Sequence, residues 1–373
     1  MKKFLIVQLA SFGDCLYATA IANQIKNDYP NSHLTWAIAR RFASILQNNP
    51  HVDQVWEVDI PSGMAYYDPA FDTNFRKLVQ EKKDKGEYDE VIFSQIPQKN
   101  WSRFNGTIRS TTLSAYPGKI TVSVQPQVYL GSEEIERVKQ FAETHQLKQY
   151  KEVILFECAP SSGQSLVNVD FALSIAKQTV EKHPSTCFIL STPSPINSGD
   201  ARIIDASILS FRENAELSKY CSFLIGCSSG ITWICTSQWA KQLNTLQLLN
   251  KDAGIYAGLN FDFTTQGLNN AHVVEMISYD EATVMACLQR YFDQGMKKCR
   301  DDFNQFYAPN AAHLKIVAGF LIDQGQSISN ILGFADNYCQ HNAKLNNPIP
   351  FNRAAFVAFI LKRRLSRFWP FKK

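Results

Sequence analysis

Several patterns that would assign a chain to a common class of protein are missing from this sequence. No run of apolar residues approaches the roughly 20 that a helix needs to span a bilayer. No Gly-x-Gly-x-x-Gly follows the opening strand of either half and no Walker A sequence occurs, which disfavours a dinucleotide-dependent oxidoreductase. The first residues, MKKFLIV, run into a Gly-Asp turn without a small-residue cleavage pattern, so they predict a β-strand and not a signal peptide.

Cysteine is present, but it is not arranged for metal binding. The nine cysteines are scattered and form no Cys-x-x-Cys pair, and the seven histidines are equally dispersed. Because a zinc site needs clustered Cys and His ligands, none is expected. Small buried side chains in a reducing cytoplasm are expected at all nine positions, which are Cys15, Cys158, Cys187, Cys221, Cys227, Cys235, Cys287, Cys299 and Cys339.

Acidic residues are absent from the end of the chain. Eight Lys and Arg residues follow Asp336, so the rest of the chain has 30 basic against 34 acidic residues although the whole is formally +4. Residues 351–373 mix basic with apolar side chains, which predicts either a segment on an anionic membrane surface or a terminal helix packed on the body. Nucleic-acid binding is disfavoured, because the body is acidic and has no recognition motif.

Strand and helix signals alternate in both halves of the 373 residues, a length that favours two α/β domains. Apolar strands at residues 4–9, 33–39 and 55–58 enclose a helix at 15–26, and the pattern restarts with a strand at 153–156. Such alternation predicts parallel sheets covered by helices. Loops are expected at 97–118 and a helix at 231–240. The predicted domains are 1–147, 148–300 and a helical extension with a basic tail, 301–373.

The first motif with chemical meaning is Ser11-Phe12-Gly13-Asp14, which lies where the first strand ends and the first helix begins. Ligands of open α/β sheets bind outside the carboxyl ends of the strands. Gly13 is expected to permit a tight turn, and Ser11 and Gly13 are expected on the acceptor side of a site. Asp14 either stabilises the N-terminus of the helix or acts as a general base on an attacking hydroxyl.

A second motif, GCSSGIT at residues 226–232, follows an apolar strand and opens a helix. Free backbone N–H groups at such a point predict a cradle for a diphosphate, to which the hydroxyl groups add donors. Small residues that serve only the turn are the alternative. The residues expected to bind a ligand here are Gly226, Ser228, Ser229, Gly230 and Thr232.

The motif around Asp14 extends into a longer resemblance. Residues 4–20 (FLIVQLASFGDCLYATA), 25–30 (IKNDYP) and 46–55 (LQNNPHVDQV) resemble the opening of glycosyltransferase family 9, the ADP-heptose:lipopolysaccharide heptosyltransferases. In that family the aspartate of the turn is the proposed catalytic base, a role that the resemblance assigns to Asp14. It also implies the GT-B fold, in which two Rossmann-like domains face a central cleft.

The resemblance implies an inverting transferase that moves a sugar from a nucleotide-diphosphate sugar to a cell-surface glycan or glycolipid acceptor of the lipopolysaccharide type. The strict Asp-x-Asp of metal-dependent sugar transferases is absent, and neither a metal nor a cofactor is expected. The expected location is the cytoplasm, with the inner face of the cytoplasmic membrane as the alternative if residues 351–373 lie on a membrane surface.

The chain departs from the family in its second half. The family carries Gly-x-Asp-(Ser/Thr)-Gly-x-x-His where this chain has Gly226, Ser229 and Gly230 in common but Ser228 and Trp233 in place of the aspartate and the histidine. Because the family aspartate is thought to contact the donor sugar, a heptose donor does not follow. A catalytically inactive nucleotide-sugar-binding or scaffold protein of the same fold is the alternative.

The loop after the first strand of the second half also departs from the family, because it has no basic residue. Glu157, at the end of that strand, either anchors a ribose or sugar hydroxyl or faces solvent. Arg212 is the candidate cation for the leaving diphosphate, since it heads a helix close to the cradle. Small polar residues before a helix suit phosphate or sugar contacts, and those expected to bind the donor are Ser161, Ser162, Gly163, Gln164 and Ser165.

Overall fold

The structure, a computed structural model, describes residues 1–62, 64–65, 68–96, 100–253 and 258–368. Within them the chain forms two parallel β-sheets, each with its own set of helices, followed by three further helices. This arrangement confirms the predicted α/β class with two Rossmann-like halves and a helical C-terminal extension.

The first half contains β1 (Lys3–Val7), α1 (Phe12–Asp28), β2 (His33–Ala39), the 3-10 helix Arg40–Leu46, β3 (Gln54–Val58), α2 (Pro69–Asp84) and β4 (Glu90–Phe93). Its four strands are parallel and lie in the order β3-β2-β1-β4. The central strand β1 is buried from its second residue onwards, as expected for a run of apolar residues covered on both faces. The carboxyl ends of β1 and β4 therefore meet at one edge of the sheet.

The segment between the two sheets holds helices where the composition of residues 97–118 predicts loops. It contains the 3-10 helix Asn100–Arg103, α3 (Ile108–Leu113), α4 (Ser132–Thr144) and the 3-10 helix Leu147–Gln149. Phe104, Asn105 and Arg109 are buried there, and Asn342 near the end of the chain donates to the Asn105 carbonyl over 2.7 Å. Contacts with distant parts of the chain thus cover these residues, while residues 97–99 lie outside the described part.

The second half contains β5 (Glu152–Glu157), α5 (Val169–Lys182), β6 (Thr186–Ser191), β7 (Ile203–Asp205), α6 (Glu213–Leu217), β8 (Phe223–Gly226), α7 (Gly230–Ile234), β9 (Asn244–Leu248), α8 (Leu259–Thr265), β10 (Val273–Met276) and α9 (Glu281–Phe303). Its six strands are parallel, in the order β10-β9-β8-β5-β6-β7. The helix predicted to reach residue 240 ends at Ile234. After it, Thr236 and Ser237 make i→i+3 turns instead, and Gln238 bonds to Val128 of the connecting segment.

Three helices, α10 (Ala311–Asp323), α11 (Ile328–Lys344) and α12 (Arg353–Phe368), return to the first half and pack around Ile96, Trp101 and Phe104. Phe356 and Ile360 of α12 are buried in this cluster. The sequence predicts two alternatives for the tail. The first part of α12 agrees with one of them, a terminal helix packed on the body. Residues 369–373, and the side chains of 366–368, lie outside the described part.

The predicted domain boundary at 147–148 falls in the 3-10 helix between the sheets, whereas the one at 300–301 falls inside α9. Eight of the nine cysteines are buried and none forms a disulfide, which confirms the expectation of small buried side chains; Cys339 is half-buried. Among the described residues, no helix combines the length and the apolar character needed to cross a membrane.

Candidate active site

The Ser11–Asp14 motif follows β1 at the carboxyl edge of the first sheet. Gln95, just after β4, fixes the backbone that leads into it. Its side-chain oxygen accepts the N–H groups of Leu9 (2.9 Å) and Ala10 (3.1 Å), and its amide donates to the Ala10 carbonyl (2.7 Å). No motif points to Gln95; its place directly after a parallel strand on the same edge is the only signal for it.

Helix α1 begins at Phe12, three residues earlier than predicted, so that Gly13 and Asp14 belong to its first turn. Gly13 has no positive φ, and the tight turn predicted for it is wrong. A Cβ atom at Gly13 would lie 3.0 Å from Cδ1 of Trp233. The glycine therefore makes room for an indole ring that the second half contributes.

Asp14 keeps part of its surface exposed, although its carboxyl group is closely surrounded by protein atoms. Burial raises the pKa of Asp14 from 3.8 to about 7, while the backbone N–H of Ser11, 3.4 Å from Oδ2, acts to lower it. A carboxyl group that titrates near neutrality is suited to take a proton from a substrate. Asp14 thus contacts the helix start, as the capping interpretation expects, and also has the acidity expected of a general base.

The two sequence motifs meet at the junction between the halves. A Cβ atom at Gly230, the first residue of α7, would lie 3.2 Å from the Cβ of Phe12 and 2.8 Å from the ring of Phe211. The rings of Phe12 and Phe211 are 4.2 Å apart. The first turns of α1 and α7 are therefore in contact through Phe12 and Gly13, the two residues that precede Asp14.

The cradle predicted for a diphosphate is already occupied by a protein carboxylate. Glu157 accepts the backbone N–H groups of Cys227 (2.7 Å) and Ile231 (3.0 Å) and the hydroxyl of Thr232 (2.6 Å). It is 2% exposed, and burial raises its pKa even though these three donors act to lower it. Glu157 therefore neither faces solvent nor binds a sugar hydroxyl, and both predictions for it are wrong. The prediction that Thr232 and these two amides bind a phosphate is wrong for the same reason. A Cβ at Gly226 would collide with Thr232, so Gly226 serves this packing.

The loop after β5 does approach the second motif. The amide of Gln164 donates to the Ser228 carbonyl over 3.1 Å, and the Ser228 hydroxyl lies 3.3 Å from the Gln164 side-chain oxygen. Ser165 is buried beside the hydroxyl of Tyr279, at 3.2 Å. Four other predicted residues of these two loops are exposed or part-exposed: Ser161, Ser162, Gly163 and Ser229.

Arg212 does not lie in the predicted donor site. Its guanidinium pairs with Glu134 of α4 (2.7 Å) and donates to the carbonyls of Ser44, Gln47 and Tyr129. The residue is 2% exposed and all these partners belong to the first half or the connecting segment. Its donors are used to join the two halves, so the role of a cation for the leaving diphosphate is wrong.

A second buried ion pair joins the halves, between Arg109 of α3 and Asp262 of α8 at 3.0 Å. Arg109 also lies over the ring of Tyr17, one turn after Asp14, with its guanidinium carbon 4.7 Å from the ring centre. In the part of the chain that the structure describes, no group of His, Cys, Asp or Glu is arranged to hold a metal ion.

Two solved structures are similar to this chain over nearly their whole length. A glycosyl transferase of family 9 from Veillonella parvula is 13% identical, with a match that covers 86% of this chain and 98% of the other and a TM-score of 0.55. The heptosyltransferase WaaC from E. coli, solved with ADP, is 12% identical, with coverages of 79% and 99% and a TM-score of 0.50. The chain has the GT-B fold.

No family model and no curated protein matches this GT-B chain. The two neighbours are glycosyltransferases, and the likeness confirms the fold implied by the resemblance to family 9. At these identities it shows the fold alone, so the chemistry of this protein must be argued from its own residues.

The assignment of Arg212 to the junction predicts its effect on stability. Arg212→Ala should lower the free energy of unfolding by about 3–5 kcal/mol, because it leaves Glu134 and three carbonyl groups without their buried partner. Chemical denaturation measures this loss. Arg40→Ala, which breaks an exposed pair with Asp59, is the control and should change stability far less. Equal stability of the Arg212 variant and the wild type would contradict the structural role.

Proposed function

We propose that the protein is an inverting glycosyltransferase in which Asp14 is the general base. The observation that carries the proposal is the position and acidity of Asp14: a carboxyl group with a pKa near 7 at the carboxyl edge of one parallel sheet, beside the first turn of α7 from the other half. Structural elements from both halves thus surround one carboxyl group that can bind and release a proton at neutral pH.

In the proposed reaction, a hydroxyl group of the acceptor approaches Asp14 from the side of the first half. Asp14 accepts the hydroxyl proton as the oxygen attacks the anomeric carbon of the donor, and the bond to the diphosphate breaks on the opposite face of the sugar. The configuration is therefore inverted. A base with a pKa near the working pH combines a large deprotonated fraction with a useful driving force for proton transfer.

The proposed donor is a nucleotide-diphosphate sugar held by the second half. Support comes from the polar groups at the ends of β5 and β8, where Gln164 and Ser228 are in contact and Ser229 remains part-exposed next to Gly230. Because Glu157 takes the amides of Cys227 and Ile231, the donor's phosphates are assigned to the remaining polar groups of this loop and not to those two amides. We propose that the reaction requires no metal.

The same observation on Glu157 favours a second candidate, a nucleotide-sugar-binding or scaffold protein without catalysis. A buried carboxylate at the phosphate cradle repels a diphosphate, which weakens donor binding of the usual kind. The raised pKa of Asp14 argues for catalysis, since burial would not make a carboxyl group that serves only as a helix cap a better cap.

The proposed acceptor is a cell-surface glycan or glycolipid, and the proposed location is the inner face of the cytoplasmic membrane. Support comes from α12, where Leu361 (45% exposed) and Leu365 (66%) lie on the outward face with Lys362. Phe356 and Ile360 point into the core, so only this outward face is available to a bilayer. Basic side chains beside exposed leucines are suited to an anionic leaflet.

The proposed function predicts that at least one nucleotide sugar raises the melting temperature of the protein and is turned over. The sugars to be tested carry UDP, GDP, ADP, CMP or dTDP. With that donor, Asp14→Asn should lower kcat by about 10²–10⁴-fold, because an amide cannot accept the proton of the attacking hydroxyl. Its melting temperature should be equal to the wild type's or higher, since a desolvated acid is removed.

Asp170→Asn is the matched control, because Asp170 is an exposed aspartate in the first turn of α5. It should leave kcat unchanged. Full turnover by Asp14→Asn would reject the base. Binding of a donor without any turnover by the wild type would favour the scaffold candidate, and no stabilisation by any nucleotide sugar would reject both.

The raised pKa of Asp14 also predicts how the rate depends on pH. Only the ionised carboxylate accepts a proton, so the transfer rate should fall as pH decreases through about 7 and reach a plateau above it. A pH–rate profile between pH 5 and pH 9 tests this, on the order of two units to either side of the midpoint. A profile that stays flat down to pH 5 would contradict the assignment.

The outward face of α12 predicts binding to anionic vesicles. Leu361→Ser/Leu365→Ser and Lys362→Glu should each weaken sedimentation with phosphatidylglycerol–phosphatidylethanolamine vesicles and leave the weak binding to phosphatidylcholine unchanged. Ile316→Ser, which removes an exposed apolar residue of α10, is the control. Unchanged sedimentation of both α12 variants would reject the membrane contact.

A further inference from the structure

The ring that covers the Asp14 turn comes from the opposite half of the molecule. Trp233 of α7 lies against Gly13, with Cδ1 3.0 Å and Nε1 3.6 Å from the position that a Cβ would take. Its ring also meets that of Tyr17 edge to face, with centroids 5.1 Å apart. The indole is 8% exposed and therefore replaces water on this side of the first turn of α1.

Few groups other than the surrounding apolar atoms affect the pKa of Asp14. Burial and the Ser11 N–H act on it, and Cys15 and Tyr17 are the titratable neighbours whose own pKa values its charge raises. Helix α7 carries no charged residue. The charged groups of the other elements packed against α1 have their own contacts: Arg109 with Asp262, Arg40 with Glu57 and Asp59, and Arg41 over the ring of Phe42.

We propose that Trp233 is a positioning residue for the base, whose indole keeps water from the Asp14 turn while the two halves are in contact. Asp14 would meet water on that side if the halves separated, and it would then be an ordinary, weak carboxylate base. The covering of Asp14 is independent of the reaction, whereas its catalytic consequence rests on the proposed function.

A glycine at position 13 is what this contact requires. The Cβ of any other residue would lie 3.0 Å from Cδ1 of the indole, so the ring would have to shift by a few tenths of an ångström. Gly13→Ala is therefore a second way to disturb the cover, and it does so from the side of the first half without weakening a helix, since alanine is the better helix former.

A test of the cover uses stability and needs no activity. For a carboxyl group whose pKa is raised on folding, the folded state binds more protons than the unfolded state, so stability is lost as pH rises from about 4 towards 7 and above. Asp14→Asn removes this loss. As pH rises across this window, the melting temperature of the wild type should therefore fall relative to that of Asp14→Asn.

The same difference is then measured in two further pairs, Trp233→Ala with and without Asp14→Asn, and Gly13→Ala with and without it. Both pairs should show a smaller dependence on pH, at least halved in Trp233→Ala. Trp56→Ala, which removes a ring packed on Phe75 away from the site, is the control and should keep the full dependence. Unchanged dependence in the Trp233 pair and in the Gly13 pair would overturn the proposal, and the Gly13 pair decides alone if Trp233→Ala does not fold.

Activity supplies the second readout. With a donor that is turned over, the midpoint of the pH–rate profile should fall by about one pH unit or more in Trp233→Ala, as expected when water reaches a desolvated carboxyl group. A lower rate with an unchanged midpoint would mean that Trp233 is merely structural. If no nucleotide sugar binds, the proposed function fails while the stability measurement still decides whether Trp233 covers Asp14.

Discussion

The contact between the first turns of α1 and α7 determines where the two halves of this molecule meet. Each turn contributes a glycine: Gly13 admits the indole of Trp233, and Gly230 admits the Cβ of Phe12 and the ring of Phe211. Parallel sheets gather their loops at the carboxyl ends of their strands, so both turns start at such an edge. Asp14 follows Phe12 and Gly13 in the first turn of α1, and burial raises its pKa to about 7.

Buried carboxylates satisfy the short helices of the second half. Glu157 accepts the amides of Cys227 and Ile231, and Glu275 accepts the N–H groups of Asn260 in the first turn of α8 and of Tyr307 after α9. Burial raises the pKa of Glu275 to about 7. Two backbone donors of the second motif that could bind phosphate, the N–H groups of Cys227 and Ile231, are therefore used inside the protein. This is the main physical difference from a simple phosphate cradle.

Much of the fold could be predicted, because apolar runs at the spacing of strands and helices reflect burial on both faces of a parallel sheet. The helices within residues 100–118 could not be predicted, since Asn105 and Arg109 are polar in sequence and are buried by partners far along the chain. Arg212 failed for a related reason. Its nearness to the second motif in sequence did not reveal that its donors point to Glu134 and to carbonyls of the first half.

The sequence by itself determined the two parallel α/β halves, the place of Asp14 after the first strand, and the resemblance that implies the GT-B fold. These properties are local, because they depend on the order of residues within single strands and turns. Only the tertiary structure decided that Glu157 fills the phosphate cradle and that Trp233 covers Gly13. Both depend on which side chains meet across separate strands or separate halves, and no local pattern in the chain encodes such a meeting.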